Sequence, residues 1–324
     1  MRFLLRRFGF YLIALLVAIL LNFLIPRMMA GDPVQIMFGR FQGRVEPAAM
    51  ESLYKTFGFV TGPIHEQFAL YISNLLQGNL GTSVTFFPNP VGKVVAIAML
   101  WTIRLVGLAT ILSFLLGTLL GVFAAWRRGG FVDSKVLPLT GVLNSFPYFW
   151  LAMLALYTFG LGLGWFPLHR AANDNILQDW SNPEYILSVI HHAILPASTI
   201  VITSLGGWML GMRNNMIGVL AEDYITLAQA KGLSDRRIML SYAARNAILP
   251  SLTGFAMSLG FVLGGALLTE IVFSYPGVGF MLLSAVNARD YPLMQGIFLM
   301  ITVAVLVANM IADVAYVLLD PRAR

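Results

Sequence analysis

The chain has 324 residues, of which 58% are hydrophobic and 11% are charged, and its formal net charge is +6 at pH 7. A soluble domain usually carries about a quarter charged residues, so this chain has too few charges to cover a water-soluble globule. It contains no cysteine, which excludes disulfides, thiolate chemistry and cysteine-ligated metals. Its basic residues lie between apolar runs rather than in one patch, which argues against nucleic-acid binding.

Six apolar stretches have the length and composition of membrane-crossing helices. A crossing helix needs about 20 mostly apolar residues, and each stretch has a core free of Asp, Glu, Lys and Arg. We predict one all-α integral membrane domain over residues 1–324, with spans at 8–25, 103–126, 136–166, 193–213, 247–270 and 291–318. The alternative for the first stretch is a signal peptide behind three arginines, but residues 26–30 make a poor cleavage site.

The distribution of Lys and Arg predicts the orientation. Short cytoplasmic loops carry an excess of these residues, and here they concentrate at the N-terminus, in the second and fourth loops, and at the C-terminus. The third and fifth loops carry only Arg170 and Arg289. We therefore expect both termini in the cytoplasm.

The first loop, residues 26–98, is then extracytoplasmic and too long for a plain connector. Its segment 66–76 has helical spacing, with Phe68, Tyr71 and Leu75 on one face. We predict a small folded cap outside the membrane.

The fourth loop, residues 214–246, predicts two short helices at a sharp angle. Asp223 is a capping residue type for the first helix, and Gly232 suits the left-handed position that ends it. Ser234 can cap the second helix, and Pro250 fits the first turn of the fifth span.

The first short helix has three small residues, Ala228, Ala230 and Gly232. Their short side chains leave a low face on the helix, one without projecting side chains, to which a partner can come close. On these residues alone, a docking surface and a merely solvated loop are equally good interpretations.

This loop resembles the conserved cytoplasmic loop with which ABC-importer permeases dock on their ATPase. Gly232 stands at the place of the conserved Gly, but Thr226 occupies the place of a Glu. Pro250 follows Gly232 by 18 residues (250 − 232), later than in the general form. That spacing is similar to the dipeptide/oligopeptide permease family, and within it to the first permease subunit.

The resemblance covers nearly the whole chain and is most specific near the C-terminus. There the chain reads EIVF at 270–273, YPGVG at 275–279 and RDYP at 289–292. The resemblance implies a type I ABC importer permease fold in a prokaryotic cytoplasmic (inner) membrane.

The phosphate-binding pattern GxxxxGK[ST] is absent; the Gly92-Lys93 pair is followed by Val94. We therefore expect no enzyme activity and no cofactor on this chain. The family implies that ATP and Mg²⁺ are bound by two separate ATPase subunits. It also implies a second homologous permease subunit and an extracytoplasmic substrate-binding protein, in contact with membrane lipid and not with nucleic acid.

Two sets of candidate site residues follow. Those for ATPase coupling, implied by the resemblance, are Glu222, Asp223, Tyr224, Ala228, Ala230, Lys231, Gly232, Arg236 and Arg245. Those for the translocation path are polar or aromatic residues in or beside the spans: Asn144, Ser145, Tyr148, Trp150, Trp208 and Glu270. For Tyr148, Trp150 and Trp208, packing or a position at the membrane interface is an equally good interpretation. Pro147 predicts a kink in the third span, and Asn144 and Ser145 either satisfy the backbone groups that it frees or contact substrate. Glu270 either holds the turn at 275–279 or lines the outer vestibule. No catalytic or metal-binding set is predicted.

The predicted function is the permease subunit of an importer for oligopeptides or oligosaccharides. Residues 85–91 and 165–167 are similar to the oligosaccharide branch of the family. The alternative is a secondary carrier or channel that works without an ATPase. Such proteins usually place ionisable residues deep in the membrane, whereas Arg104, Glu270 and Asp313 lie near span ends. A membrane-embedded enzyme would need clustered His, Asp or Glu residues, which the sequence does not contain.

Overall fold

The computed structural model describes residues 2–29, 62–262 and 266–319, and the regular structure in these ranges is helical. Extended pairing among them is limited to an isolated antiparallel bridge between Thr82 and Pro90. The α-helices are α1 (Arg2–Arg27), α2 (Ile64–Leu76), α3 (Val91–Thr102), α4 (Leu108–Trp126), α5 (Leu137–Asn144), α6 (Tyr148–Ala155), α7 (Pro183–Leu220), α8 (Asp223–Ala230), α9 (Asp235–Arg237), α10 (Arg245–Val262), α11 (Leu267–Val272), α12 (Val278–Ala288) and α13 (Tyr291–Leu319). Four π-helical segments join or extend them: Ile103–Gly107, Val132–Val136, Leu156–Gly162 and Ile238–Ala244.

Four helical stretches in the described ranges are long and apolar enough to cross a membrane. They are Arg7–Arg27, Val91–Trp126, Pro183–Leu220 and Tyr291–Ile311. The pair Val132–Asn144 and Tyr148–Gly162, bent by 100°, adds a fifth crossing if it forms one span. The predicted fifth span, 247–270, corresponds to the shorter helices α10 and α11, and residues 263–265 between them lie outside the described ranges.

The bend between α5 and α6 lies at the predicted kink. Pro147 precedes α6 with extended backbone angles of φ −57° and ψ 128°. A proline has no N–H to continue the hydrogen-bond ladder of α5, and it disfavours helical geometry for the residue before it. The kink predicted from Pro147 is confirmed.

Much of the predicted outer cap, residues 30–61, lies outside the described ranges. The helix predicted at 66–76 is present as α2. Phe68 and Tyr71 of α2 pack on Phe23 of α1, with ring centroids 5.0 and 5.6 Å apart. Arg27 lies over the same Phe23 ring at 3.7 Å and donates to the Gln67 side chain at 3.0 Å. α2 is therefore fastened to the end of α1.

The described chain divides into two compact units, the first of which comprises Met1–Thr102, Leu263–Leu267 and Pro276–Val314. In it, α3 packs against α12 and α13. Its apolar core consists of Val91, Val94, Val95, Ala98, Val278, Ala285, Tyr291, Leu293, Met294 and Ile297. Gly296 lies so close to α3 that an added Cβ would be 2.3 Å from a methyl group of Val91.

Asp290, fully buried in the first unit, holds a distant segment of chain against the start of α13. Its carboxylate accepts hydrogen bonds from the Ser83 hydroxyl at 2.6 Å and the Thr85 backbone N–H at 2.8 Å. It also accepts from the Leu293 N–H at 3.0 Å, which makes Asp290 the N-cap of α13. One side chain therefore both caps a helix and anchors residues 83–85.

The second unit comprises Ile103–Val262, Leu268–Tyr275 and Ala315–Arg324, and its helices cross α7 at glycines. A Cβ on Gly121 of α4 would lie 2.6 Å from the Met209 backbone oxygen. A Cβ on Gly206 of α7 would lie 2.7 Å from the Thr140 backbone oxygen of α5. Backbone atoms cannot be displaced cheaply, so these crossings require glycine. Close approach through small residues is how helices associate in a bilayer, where apolar side chains gain nothing by leaving lipid.

Two helices end on a non-glycine residue in the left-handed conformation. Ser274 follows α11 with φ 45°, and Arg289 follows α12 with φ 55°. In both turns the next residue donates its N–H back across the helix end, Tyr275 to Glu270 at 2.8 Å and Asp290 to Ala285 at 2.9 Å. These are Schellman-type ends, which usually carry glycine at this position.

Replacing Asp290 by Ala should destabilise the protein by about 2 to 4 kcal/mol, because it removes an N-cap and leaves buried donors without an acceptor. The measurement is the thermal unfolding midpoint of the purified chain in detergent.

Asp179→Ala is the matched control. Asp179 is exposed and accepts a hydrogen bond from the Ser181 N–H, a local turn contact at the surface. We expect this variant to change stability by less than about 0.5 kcal/mol. Equal midpoints for the two variants would show that Asp290 is not an anchor.

Candidate functional site

The loop that follows α7 folds into a tight angle, which we call the elbow (residues 221–246). α7 ends at Leu220, and α8 begins at Asp223 with Glu222 as its N-cap residue. After Gly232 the chain enters α9, continues through the π-helical segment Ile238–Ala244 and leads into α10. The two short helices predicted for this loop are therefore present.

Gly232 makes the sharp turn between α8 and α9. Its φ is +70°, and its N–H donates to the Gln229 oxygen at 2.9 Å, while the Leu233 N–H donates to the Ala228 oxygen at 3.3 Å. These two bonds define a Schellman motif, in which glycine is preferred because the left-handed conformation crowds a Cβ. The role predicted for Gly232 at this turn is confirmed.

The inner side of the elbow forms an apolar core with the end of α7. From α8, Ile225 and Ala228 are 1% and 3% exposed. They belong to one cluster with Val122, Ala125, Met212, Met216, Ile238, Met239, Ala243 and Ala247. Burying several aliphatic side chains, each stabilised by about 1.5–3 kcal/mol on full burial, holds α8 against α7.

A side-chain hydrogen bond links the first helix of the elbow to the helix that follows it. The Asn246 amide of α10 donates to the Tyr224 hydroxyl of α8 at 3.0 Å, and also to the Tyr242 backbone oxygen at 3.0 Å. α8 is thus tied to α7 through its apolar face and to α10 through Tyr224. A displacement of α8 cannot leave either helix untouched.

Eight of the nine residues predicted for coupling are exposed on the outer side of the elbow. They are Glu222, Asp223, Tyr224, Ala230, Lys231, Gly232, Arg236 and Arg245. The ninth, Ala228, is buried in the elbow core, so its small side chain permits packing within this chain rather than approach by a partner. The low face predicted from three small residues is therefore reduced to Ala230 and Gly232.

Two local details of the elbow differ from the sequence prediction. Asp223 is the first residue of α8 rather than its cap, and Glu222 in the cap position makes no side-chain capping bond. Pro250 lies inside α10, five residues after Arg245, rather than in the first turn. The π-helical segment before α10 joins the elbow smoothly to the span, so the helix begins earlier than the proline position suggests.

An ion pair next to the elbow was not predicted from the sequence. The Arg213 guanidinium of α7 donates to both Asp133 carboxylate oxygens, at 2.5 and 3.3 Å. Asp133 in turn accepts from the Gly129 N–H at 2.9 Å. Opposite charges in the second loop and at the inner end of the fourth span were a signal for such a pair, but spacing along the chain does not say which charges meet.

Four of the six residues predicted for the translocation path lie at the α5–α6 bend. Asn144, Ser145, Tyr148 and Trp150 are all exposed in the described structure. The Ser145 hydroxyl donates to the Gly141 oxygen at 3.0 Å, and Trp150 stacks on Phe146 with ring centroids 5.2 Å apart. Polar and aromatic side chains are therefore exposed on both sides of the bend.

Trp208 lies apart from the bend, in an aromatic cluster of the second unit. Its ring meets Phe114 edge-on at 5.2 Å, and Phe114 stacks on Phe255 at 4.2 Å. α4, α7 and α10 each contribute one ring to this cluster. Such contacts add about 0.5–1.5 kcal/mol per pair beyond burial, which is a helix-packing role.

Glu270 is fully buried at the end of α11, so it does not line an open surface. Burial, and secondarily the Glu270 carboxylate, raise the pKa of the Tyr275 hydroxyl, while Arg104 opposes that rise. Arg104 also lies over the Trp180 ring at 4.2 Å. These groups form a charged and aromatic cluster, as expected where ionisable side chains leave water. Among the described residues, no three His, Asp or Glu side chains are grouped as a metal ion would require.

Known proteins resemble this chain along its entire length. It is 33% identical to the di/tripeptide transport system permease protein DppB of Pseudomonas aeruginosa (strain UCBPP-PA14), over 99% of this chain and 98% of that one. It is 32% identical to the dipeptide transport system permease protein DppB of Escherichia coli (strain K12), over 100% and 99%. With the oligopeptide transport system permease protein AppB of Bacillus subtilis (strain 168) it shares 30% identity, over 94% and 93%.

A family model described as "Binding-protein-dependent transport system inner membrane component" matches residues 117–324. The matched region contains the α4–α7 crossing, the α5–α6 bend and the whole elbow. The chain belongs to this family of inner membrane transport components, the permeases of ABC transport systems.

Proposed function

We propose that this chain is one of two permease subunits in an ATP-driven, binding-protein-dependent importer of peptides. It crosses the membrane six times with both termini in the cytoplasm, and two ATPase subunits bind its elbow. A second homologous permease completes the translocation path, and an extracytoplasmic binding protein delivers the solute. The observation that carries the proposal is an exposed, internally braced elbow at the end of α7 in a chain of this family.

The elbow is built to pass a displacement to the helices beside it. Ile225 rests on the α7 end through the apolar cluster, and Tyr224 is bonded to Asn246 at the start of α10. A push on the exposed side of α8 therefore moves α7 and α10 together. In the proposed cycle, closure of the ATPase dimer supplies this push, and the permease pair alternates between inward and outward access.

The proposed path uses the α5–α6 bend. A bend in a membrane-crossing helix frees backbone groups, and it is tolerated where they meet protein or a water-filled cavity. Asn144 and Ser145 stand at this bend on an exposed surface of the chain. We assign them to the wall of the path, with Trp208 and Glu270 as packing residues behind it.

Peptides are the favoured solute because the relatives described above are named as di/tripeptide, dipeptide and oligopeptide permeases. The oligosaccharide alternative rests on two short loop similarities. A carrier or channel independent of ATP is the alternative from a different class.

Uptake by proteoliposomes separates these functions. The chain is reconstituted with its partner permease, ATPase subunits and binding protein, and radiolabelled dipeptide or maltotriose is added outside. We expect dipeptide uptake that needs both ATP and binding protein. Uptake of maltotriose alone would assign the oligosaccharide branch, and uptake by this chain without ATPase subunits would contradict an ABC importer.

Replacing Ala230 by Glu should weaken ATPase binding at least tenfold, because an unpaired charge buried in an interface costs about 2–5 kcal/mol. Ala230 is exposed and adjoins no part of the elbow core, so the fold should be unchanged. The measurement is the amount of ATPase retained on the immobilised permease pair.

Ser134→Glu adds the same charge at an exposed position in the π-helical segment before α5 and serves as the control. It should retain ATPase as the unmodified chain does. Equal retention by the Ala230→Glu and Ser134→Glu variants would place the docking surface elsewhere. We avoid substitution of Gly232 here, because its left-handed conformation would make any loss of binding a folding effect.

Single cysteines test the orientation, and the natural absence of cysteine makes each one the sole label site. Ser234→Cys, in the elbow, should react with a membrane-impermeant maleimide only after the cells are permeabilised. Ser181→Cys, exposed before α7, should react in intact cells. The reverse pattern would mean that the elbow faces outward and cannot meet a cytoplasmic ATPase.

A further inference from the structure

The ion pair between Arg213 and Asp133 joins the helix that carries the elbow to the helix that leads to the α5–α6 bend. Arg213 belongs to α7 and stands in the sequence between Met212 and Met216, which are part of the elbow core. Asp133 belongs to the π-helical segment Val132–Val136, which continues directly into α5. α5 in turn ends at the bend. The pair is therefore placed between the two parts of the candidate site.

This contact is more enclosed and better oriented than a typical surface ion pair. Exposed pairs contribute little, because water and salt screen them. Here the Arg213 and Asp133 side chains are 24% and 11% exposed, and the guanidinium donates to both carboxylate oxygens. Two such hydrogen bonds fix the orientation of both groups. The Gly129 N–H gives the Asp133 carboxylate a third hydrogen bond, at 2.9 Å, so Asp133 cannot shift without disturbing Arg213.

A second contact between the same two segments lies seven residues further along each of them. Thr140 of α5 packs against Gly206 of α7 so closely that Gly206 has no room for a Cβ. The separation is seven residues on each side (140 − 133 and 213 − 206), or about 10 Å at 1.5 Å per residue. Residue numbers rise on one side as they fall on the other. The segment that contains α5 is therefore antiparallel to α7 and meets it at both points.

The two contacts constrain motion differently. At the Gly206 crossing, backbones are packed together and the Thr140 hydroxyl reaches the Met209 sulfur at 3.8 Å, which is a weak hydrogen bond. Helices that meet at a single crossing can rotate about it. The ion pair at Arg213 removes this freedom, because it fixes a second point on each helix. With both contacts in place, α5 follows a displacement of α7.

We propose that Arg213 and Asp133 are positioning residues for transport, whose ion pair makes a displacement of the elbow reach the α5–α6 bend. This inference rests on the proposed function, in which the ATPase subunits push the elbow and the bend lines the path. Without the pair, the elbow still receives the push and α7 still moves. α5 then rotates at Gly206, and the bend does not follow.

Asp133→Asn tests the pair, because it removes the charge and keeps the size of the side chain. Proteoliposomes with the complete importer are assayed for ATP hydrolysis and dipeptide uptake in the same sample. We expect hydrolysis close to that of the unmodified importer, since the elbow and its core are unchanged. The number of dipeptides imported per ATP should fall about fivefold, within the range that substitutions in coupling networks produce.

Asp174→Asn makes the same substitution in a different ion pair and is the matched control. Asp174 pairs with Arg170 in the loop before α7, where these side chains are 60% and 55% exposed. This pair does not connect α5 with α7. The number of dipeptides imported per ATP should therefore equal that of the unmodified importer.

A covalent tether separates transmission of movement from the charges themselves. The chain has no natural cysteine, so in the variant Asp133→Cys with Arg213→Cys a short bifunctional thiosulfonate joins only these two sites. The purified chain is cross-linked before it is assembled with its partners. We expect few dipeptides imported per ATP without the tether and the unmodified number with it. Cleavage of the tether by dithiothreitol should lower the number again.

Three outcomes would overturn the proposal. Asp133→Asn could import as many dipeptides per ATP as the Asp174→Asn control. It could instead lose uptake and hydrolysis by the same factor, with a lower thermal midpoint, which would mean that the pair only stabilises the fold. The tether could also fail to restore the number of dipeptides per ATP. Failure of the proposed function is distinguishable, because the unmodified importer would then show no ATP-dependent uptake.

Discussion

The close crossing of α4 and α7 is the constraint on which the second unit depends. Membrane helices gain little by burying apolar side chains, because lipid is an equally good apolar solvent. They associate where their backbones can approach, and Gly121 leaves no room for a Cβ beside Met209. The end of α7 fixed by this contact provides Met212 and Met216, on which the elbow rests. The position of the elbow therefore depends on Gly121, which permits this close crossing.

Several of the long helices could be located from the sequence because they depend on local properties, whereas α3 falls mostly and α12 entirely in predicted loops. Apolar length located the long helices, Pro147 located the bend, and Gly232 located the turn of the elbow. What could not be predicted were contacts between distant residues, such as Asp290 with Ser83 or Arg7 with Asp313. Each of these carboxylates had many possible partners, and composition alone does not select one.

Ala228 shows the same limit within a single helix. Small residues allow close approach equally well on either side of a helix, so their spacing predicts a low face but not what meets it. The buried Ile225, three residues earlier, lies on the same face and determines that Ala228 packs inward. An apolar residue one turn away was the available signal, and it outweighs the smallness of the alanine. The translocation path was less predictable, because polar and aromatic side chains in a span serve packing and solute contact alike.

Four helices in the described part of the chain close with the same hydrogen-bond motif, and two of them, α2 at Gly78 and α8, have the glycine that suits it. α8 turns on Gly232, whereas α11 turns on Ser274 and α12 on Arg289. A side chain in the left-handed conformation costs about 1 kcal/mol or more and persists only where the surroundings hold it. In each of the two strained turns the next residue, Tyr275 or Asp290, is buried, and its burial keeps the turn in this conformation. Backbone strain is therefore concentrated at the turns after α11 and α12, where burial of the next residue holds it in place, whereas the turn at Gly232 carries no such strain.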